Sequence, residues 1–108
     1  MTLIINNQKI ETKHPLSIYY VSGSVGLYSI DFSFSDDWEG FSKTAIFRNR
    51  YSSETFSVPL EEDSCEIPEE MLYVPNEFVV GVYGEKGSMR KPTTWSSPII
   101  VEEGADET

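Results

Sequence analysis

The sequence has one cysteine and one histidine in 108 residues, and that scarcity removes most of the familiar routes to catalysis. With Cys65 as the only thiol, no disulfide can form within the chain, which argues against a stapled secreted module. One Cys and one His cannot build a structural zinc site. A nucleophilic thiol needs a base beside it, and His14 lies far from Cys65, in a Lys13-His14-Pro15 turn. Cys65 therefore reads as a small, half-buried strand residue. No G-x-S-x-G elbow and no phosphate-cradling glycine loop occurs. The acidic stretches Asp36 to Gly40 and Glu61 to Asp63 lack the alternating oxygen spacing of a calcium loop and read as solvated turns. No catalytic residue, cofactor or metal is expected, and an enzyme is not.

Basic charge is also scarce. Lys and Arg total 8 against 18 for Asp and Glu, a formal net charge of −10. Such a surface repels phosphate backbones, so nucleic acid is not an expected partner, and anionic membranes are disfavoured for the same reason. Acidity also raises solubility, and an acidic face can steer toward a basic partner. No apolar run approaches the roughly 18 residues of a membrane span. The opening segment MTLIINNQKIE lacks a basic stretch followed by a long apolar one, so no signal peptide is expected there.

What the chain has is β pattern throughout. Tyr28, Ile30, Phe32 and Phe34 alternate with Ser29, Asp31, Ser33 and Ser35, the period of a half-buried antiparallel strand. Leu3 to Ile5, the Asn6-Asn7 turn and Gln8 to Thr12 predict a terminal hairpin. Further strands are predicted over Leu16–Val21, Lys43–Arg48, Phe56–Leu60, Cys65–Ile67, Glu77–Tyr83, Met89–Lys91 and Pro98–Val101. Pro68 to Leu72 reads as one helical turn, because proline suits the first helical position and Glu69 and Glu70 suit the positive end. Eight or nine short strands without a long helix predict an all-β, antiparallel β-sandwich, immunoglobulin-like or jelly-roll-like. Residues 1–103 form it, and the acidic, apolar-poor residues 104–108 are expected to be a disordered tail. Phe32, Phe34, Phe47, Phe56, Phe78 and Val80 supply a core about 10 Å thick.

Four segments carry a resemblance. They are Phe32 to Phe47 (FSFSDDWEGFSKTAIF), Asp63 to Leu72 (DSCEIPEEML), Val80 to Gly84 (VGVYG) and Pro92 to Trp95 (PTTW). In order and spacing they resemble N-terminal β-sandwich domains of phage and prophage tail, baseplate or fibre proteins of Gram-positive bacteria. The likeness covers about residues 25–104. It implies a non-enzymatic virion protein, made in the bacterial cytoplasm, that works by assembly with other phage structural proteins and as a homo-oligomer. The motif residues Trp38, Trp95, Gly40 and Pro68 also have plain structural readings. The tryptophans read as plugs at the ends of the sandwich, Gly40 as a backbone necessity and Pro68 as a strand end.

Two interface candidates follow. The N-terminal strand, with Leu3 and Ile5, could add to a neighbour's sheet edge. The loop Arg48-Asn49-Arg50-Tyr51 is the second, with Arg48, Arg50 and Tyr51 as contact residues. Ordinary intramolecular pairing and a solvated loop are the plainer readings of the same segments. The alternative function is a carbohydrate-binding module for a host-surface glycan, which would need Trp38, Trp95 or several tyrosines side by side on one exposed face.

Overall fold

Ten strands among the described residues make two layers. The computed structural model describes residues 1–12 and 19–105. The predicted Lys13-His14-Pro15 turn and the strand start Leu16–Ile18 lie outside the described residues. In chain order the strands are β1 (Thr2–Asn6), β2 (Lys9–Thr12), β3 (Tyr20–Val21), β4 (Ser29–Phe34), β5 (Ser42–Asn49), β6 (Thr55–Pro59), β7 (Ser64–Glu66), β8 (Asn76–Lys86), β9 (Met89–Pro92) and β10 (Ile99–Glu102). Two short 3-10 turns, Asp36–Trp38 and Glu69–Met71, are the helical pieces among the described residues. The second falls where proline and two glutamates predicted a helical turn, with Pro68 just before it.

One sheet has the order β2-β1-β4-β7. The other runs β3-β10-β8-β5-β6, with β9 continuing the β10 side of the long strand β8. The two layers pack as a β-sandwich, as the strand pattern predicts. They are mixed rather than purely antiparallel, because β1 pairs β4 in parallel and β3 pairs β10 in parallel. Alternation along a strand fixes which side chains face inward, but carries no information on a neighbour's direction.

The core takes one side chain in two from each layer. Leu3, Ile5, Ile30 and Phe32 come from the first sheet, and Ala45, Phe47, Phe78, Val80, Val82, Ile99 and Val101 from the second. Met71 and Leu72, from the turn after Pro68, close one end. Trp38 closes another and is fully buried. Its indole Nε1 donates to the Asn7 carbonyl at 2.6 Å, and the Asn7 amide donates to Ser35 Oγ at 2.9 Å. Trp38 thus ties the first hairpin to the turn that follows β4. The ring sits against Phe34 and Phe41, with centroids 5.2 and 6.1 Å away. Gly84 is what leaves it room: a Cβ there would lie 2.9 Å from the ring and 3.1 Å from Phe41. Gly40 holds φ +84°, a left-handed conformation that glycine adopts without steric cost.

The connection from β6 to β7, which crosses from the larger sheet to the smaller, contains a tight two-residue turn. Glu61 and Ser64 exchange backbone hydrogen bonds of 3.0 Å in both directions, and Glu62 and Asp63 between them hold φ of 52° and 58°. Left-handed backbone is costly for glutamate, and turns of this kind favour Asn at the first central position. Glu62→Asn is therefore expected to raise stability by up to about 1 kcal/mol. A urea denaturation midpoint that stays level or falls would contradict this.

The expected tail from residue 104 needs correction at its first residue. Gly104 donates from its amide to Ser22 Oγ at 3.0 Å, and lies so close to the Ser22 carbonyl that a Cβ would meet it at 2.2 Å. The chain is docked there by the hydroxyl and by the space a glycine leaves. Residues 106–108 lie outside the described residues.

Candidate functional site

Between β9 and β10 the chain runs as a strap along the open side of β8, and it makes its bonds with hydroxyl groups. The Val82 amide donates to Thr93 Oγ1 at 2.9 Å, and the Val80 amide to Ser96 Oγ at 3.0 Å. Each hydroxyl passes its own proton on, Thr93 to the Thr94 carbonyl at 2.8 Å and Ser96 to the Ser97 carbonyl at 2.9 Å. The strap amides return bonds of 2.8 Å, Thr93 to the Val82 carbonyl and Ser96 to the Val80 carbonyl. On its other side the strap holds β2. The Ile10 amide donates to Thr94 Oγ1 at 3.3 Å, and Thr94 donates to the Gln8 carbonyl at 2.8 Å. The strap therefore joins one layer to the other.

Its tryptophan points outward. Trp95 is 39% exposed, which corrects the expectation that both tryptophans plug the sandwich; Trp38 alone does so. The reason is register. Residues 93–96 lie alongside Val80–Val82, so Trp95 falls beside Gly81, whose missing side chain would sit 3.4 Å from the indole. Gly81 faces outward with Val79 and Tyr83, because Phe78, Val80 and Val82 face the core.

This outward face of the larger sheet collects all three arginines of the chain, Arg48, Arg50 and Arg90. The Arg48 guanidinium lies 4.4 Å from the centre of the Trp95 ring, and Arg90 lies 4.2 Å from that of Tyr83. Arg50 pairs with Glu77 at 2.6 Å and lies 5.4 Å from the Tyr51 ring centre. The Glu77 hydrogen bond, with the nearby Tyr51 and Glu77 charges, pushes the Arg50 pKa upward. Ile100 adds an apolar side chain that is 48% exposed. The predicted loop Arg48-Asn49-Arg50-Tyr51 therefore belongs to a larger surface, and its missing half is the strap and β9. Arg50 and Tyr51 also line an open cleft with Asn49, Pro75, Asn76 and Glu77. The amide oxygens of Asn49 and Asn76 are buried there without a partner.

The other interface candidate is corrected. Leu3 is fully buried and Ile5 almost so, and β1 is bonded on both sides, to β2 and to β4. Neither the Leu3 and Ile5 side chains nor the backbone of β1 is open to a neighbour, because those side chains face the core and the hairpin and the parallel partner use both edges.

β8 places two carboxylates on this face as well, Glu77 beside Arg50 and Glu85 opposite Arg90. Asp37 is hydrogen-bonded first by Lys91 and then by Ser35, and both hold its carboxyl below the usual range. Burial pushes the Cys65 thiol up to about 11, which leaves it protonated and poorly nucleophilic near neutral pH. Among the described residues, no three His, Cys, Asp or Glu side chains form a group that could hold a metal ion. No helix among them is long and apolar enough to cross a membrane. Compared with known proteins, the sequence matches no family model and no curated protein.

Proposed function

We propose that this chain is a non-enzymatic structural protein of a phage or prophage virion, a tail, baseplate or fibre anchoring module that works by protein–protein assembly. The observation that carries the assembly half is the exposed sheet face on which Trp95 and Tyr83 each lie under an arginine. Trp, Tyr and Arg are the residues that dominate binding energy at protein interfaces. The virion half rests on the resemblance of the four segments. Their residues take framework positions: Trp38 in the core, Gly84 beneath it, Pro68 before a turn and the Pro92-Thr93-Thr94-Trp95 strap between layers.

A test is co-expression with the proteins encoded on either side of its gene, followed by affinity purification. Co-purification with tail or baseplate proteins in fixed stoichiometry is the expected result. A monomer at high concentration that retains none of them would overturn the proposal.

One observation favours a second reading. Trp95 and Tyr83 share an exposed face, as a sugar platform requires. Each has a guanidinium over its ring, however, and stacking a sugar needs a bare aromatic face. Titration with cell-wall polysaccharide separates the readings. Saturable binding lost in Trp95→Ala, with the fold retained, would establish the glycan module instead.

A further inference from the structure

The placement of charge points to a partner for the arginine face. The chain carries 18 carboxylates and 8 basic side chains, so cations should be well supplied with partners. The ion pairs among the described residues are Lys43–Asp63, Arg50–Glu77 and Lys91–Asp37. Arg48 and Arg90 are in none of them. Each is held against an aromatic ring, and Arg48 Nε is buried with no hydrogen-bond acceptor. A guanidinium fixed against a ring with its donor fork unused is preorganised for a carboxylate, which it can take in bidentate fashion. Arg48 sits opposite Val79 and Arg90 opposite Glu85 on β8, so the two lie roughly 20 Å apart along the strand.

The matching surface lies on the same molecule. From Glu61 to Glu69 the chain exposes Glu61, Glu62, Asp63, Glu66 and Glu69. Lys43 is the one basic group paired there among the described residues. These carboxylates line the turn before β7, β7 itself, which is the edge strand of the smaller sheet, and the start of the 3-10 turn after it. The arginine face is the outer surface of the larger sheet. One molecule cannot bring the two together, because they belong to different layers.

We infer that the arginine–aromatic face of one copy docks the acidic β7 edge of a second copy, a head-to-tail contact. Such a contact uses two different patches, so repeating it builds a ring or a filament. The inference rests on the assembly reading above and names its surfaces and its partner. Apolar contact from Trp95, Tyr83 and Ile100 would supply affinity, and the charges would set orientation and rate.

Sedimentation velocity over a concentration series tests it. The wild-type chain is expected to associate, less so as salt rises. Arg48→Glu/Arg90→Glu and Glu62→Lys/Glu66→Lys should each weaken association at least about tenfold. An equimolar mixture of the two variants should associate again, because each then offers the charge the other lacks. Arg90→Glu alone guards against misfolding from loss of the Arg48–Trp95 stack: Arg90 is exposed, and its replacement should still weaken association with an unchanged circular dichroism melt. A wild-type chain that stays monomeric, association untouched by Arg90→Glu, or a mixture that fails to recover would each overturn the contact. If the monomer is still retained by tail or baseplate proteins, this inference fails while the assembly reading survives.

Discussion

Trp38→Ala is expected to remove about 3–5 kcal/mol of stability, the usual cost of deleting a fully buried large aromatic. A domain of this size has only about 5–15 kcal/mol in hand. The loss has three sources. The indole leaves a cavity between Phe34, Phe41 and the Gly84 backbone. The Asn7 carbonyl loses its donor. Lys91, whose ammonium lies 4.8 Å from the ring centre, loses a face to rest on. Trp38→Phe separates these contributions, because it keeps most of the packing and drops only the Nε1 bond. It should cost less than half as much. Urea denaturation reads both variants, and the remaining Trp95 reports unfolding in each. A loss under about 1 kcal/mol for Trp38→Ala would mean that Trp38 is not the peg holding the first hairpin in place.

The local arrangement around Trp38 is partly legible in the sequence. A tryptophan between an acidic turn and a glycine, just after an alternating strand, marks a strand exit from the core. The alternation of Ile30 and Phe32 with polar neighbours likewise reads directly as a strand with one buried face, and both side chains are buried. Leu3 and Ile5 show where such reading stops. Two apolar residues in a terminal strand fit an open edge and a paired inner strand equally well. Only the parallel return of β4 decides for the inner position. That return depends on the chain crossing between layers, which leaves no trace in a local pattern.

Trp95 fails to read for a related reason. Beside Pro92 and Pro98 it resembles Trp38, a large ring next to turn residues. Its outward direction is set by the residue across the strap, Gly81, and by the parity of β8. Outward parity was visible in Val79 and Tyr83, and a glycine between them is the signal that something large lies over that point. The neighbour's identity needed the register. The hydroxyl ladder is harder still, because a serine or threonine that replaces a backbone carbonyl creates no period and resembles any polar linker.

That ladder makes the second large effect. The double variant Thr93→Val/Ser96→Ala is expected to cost about 1–3 kcal/mol for each buried amide it strands. Valine keeps the shape of threonine, and Ser96 is almost fully buried, so the change is in bonding rather than volume. The Val80 and Val82 amides would face apolar atoms where they now meet oxygen. Amide hydrogen exchange locates the damage. Val80 and Val82 should lose protection by at least about tenfold beyond the global change. Gly81, whose amide points toward β5 by antiparallel alternation, should follow the global change only. If all three amides shift together, the strap and β8 open as one unit and the hydroxyls have no separate role. The same variant bears on the arginine face, since Trp95 keeps its place over Gly81 only while the residues on either side of it are held. A strap that opens locally should release the Arg48–Trp95 stack with it. Intrinsic fluorescence of Trp95, read in a Trp38→Phe background, should then shift toward the emission of a fully solvated indole well below the temperature at which the sandwich itself melts.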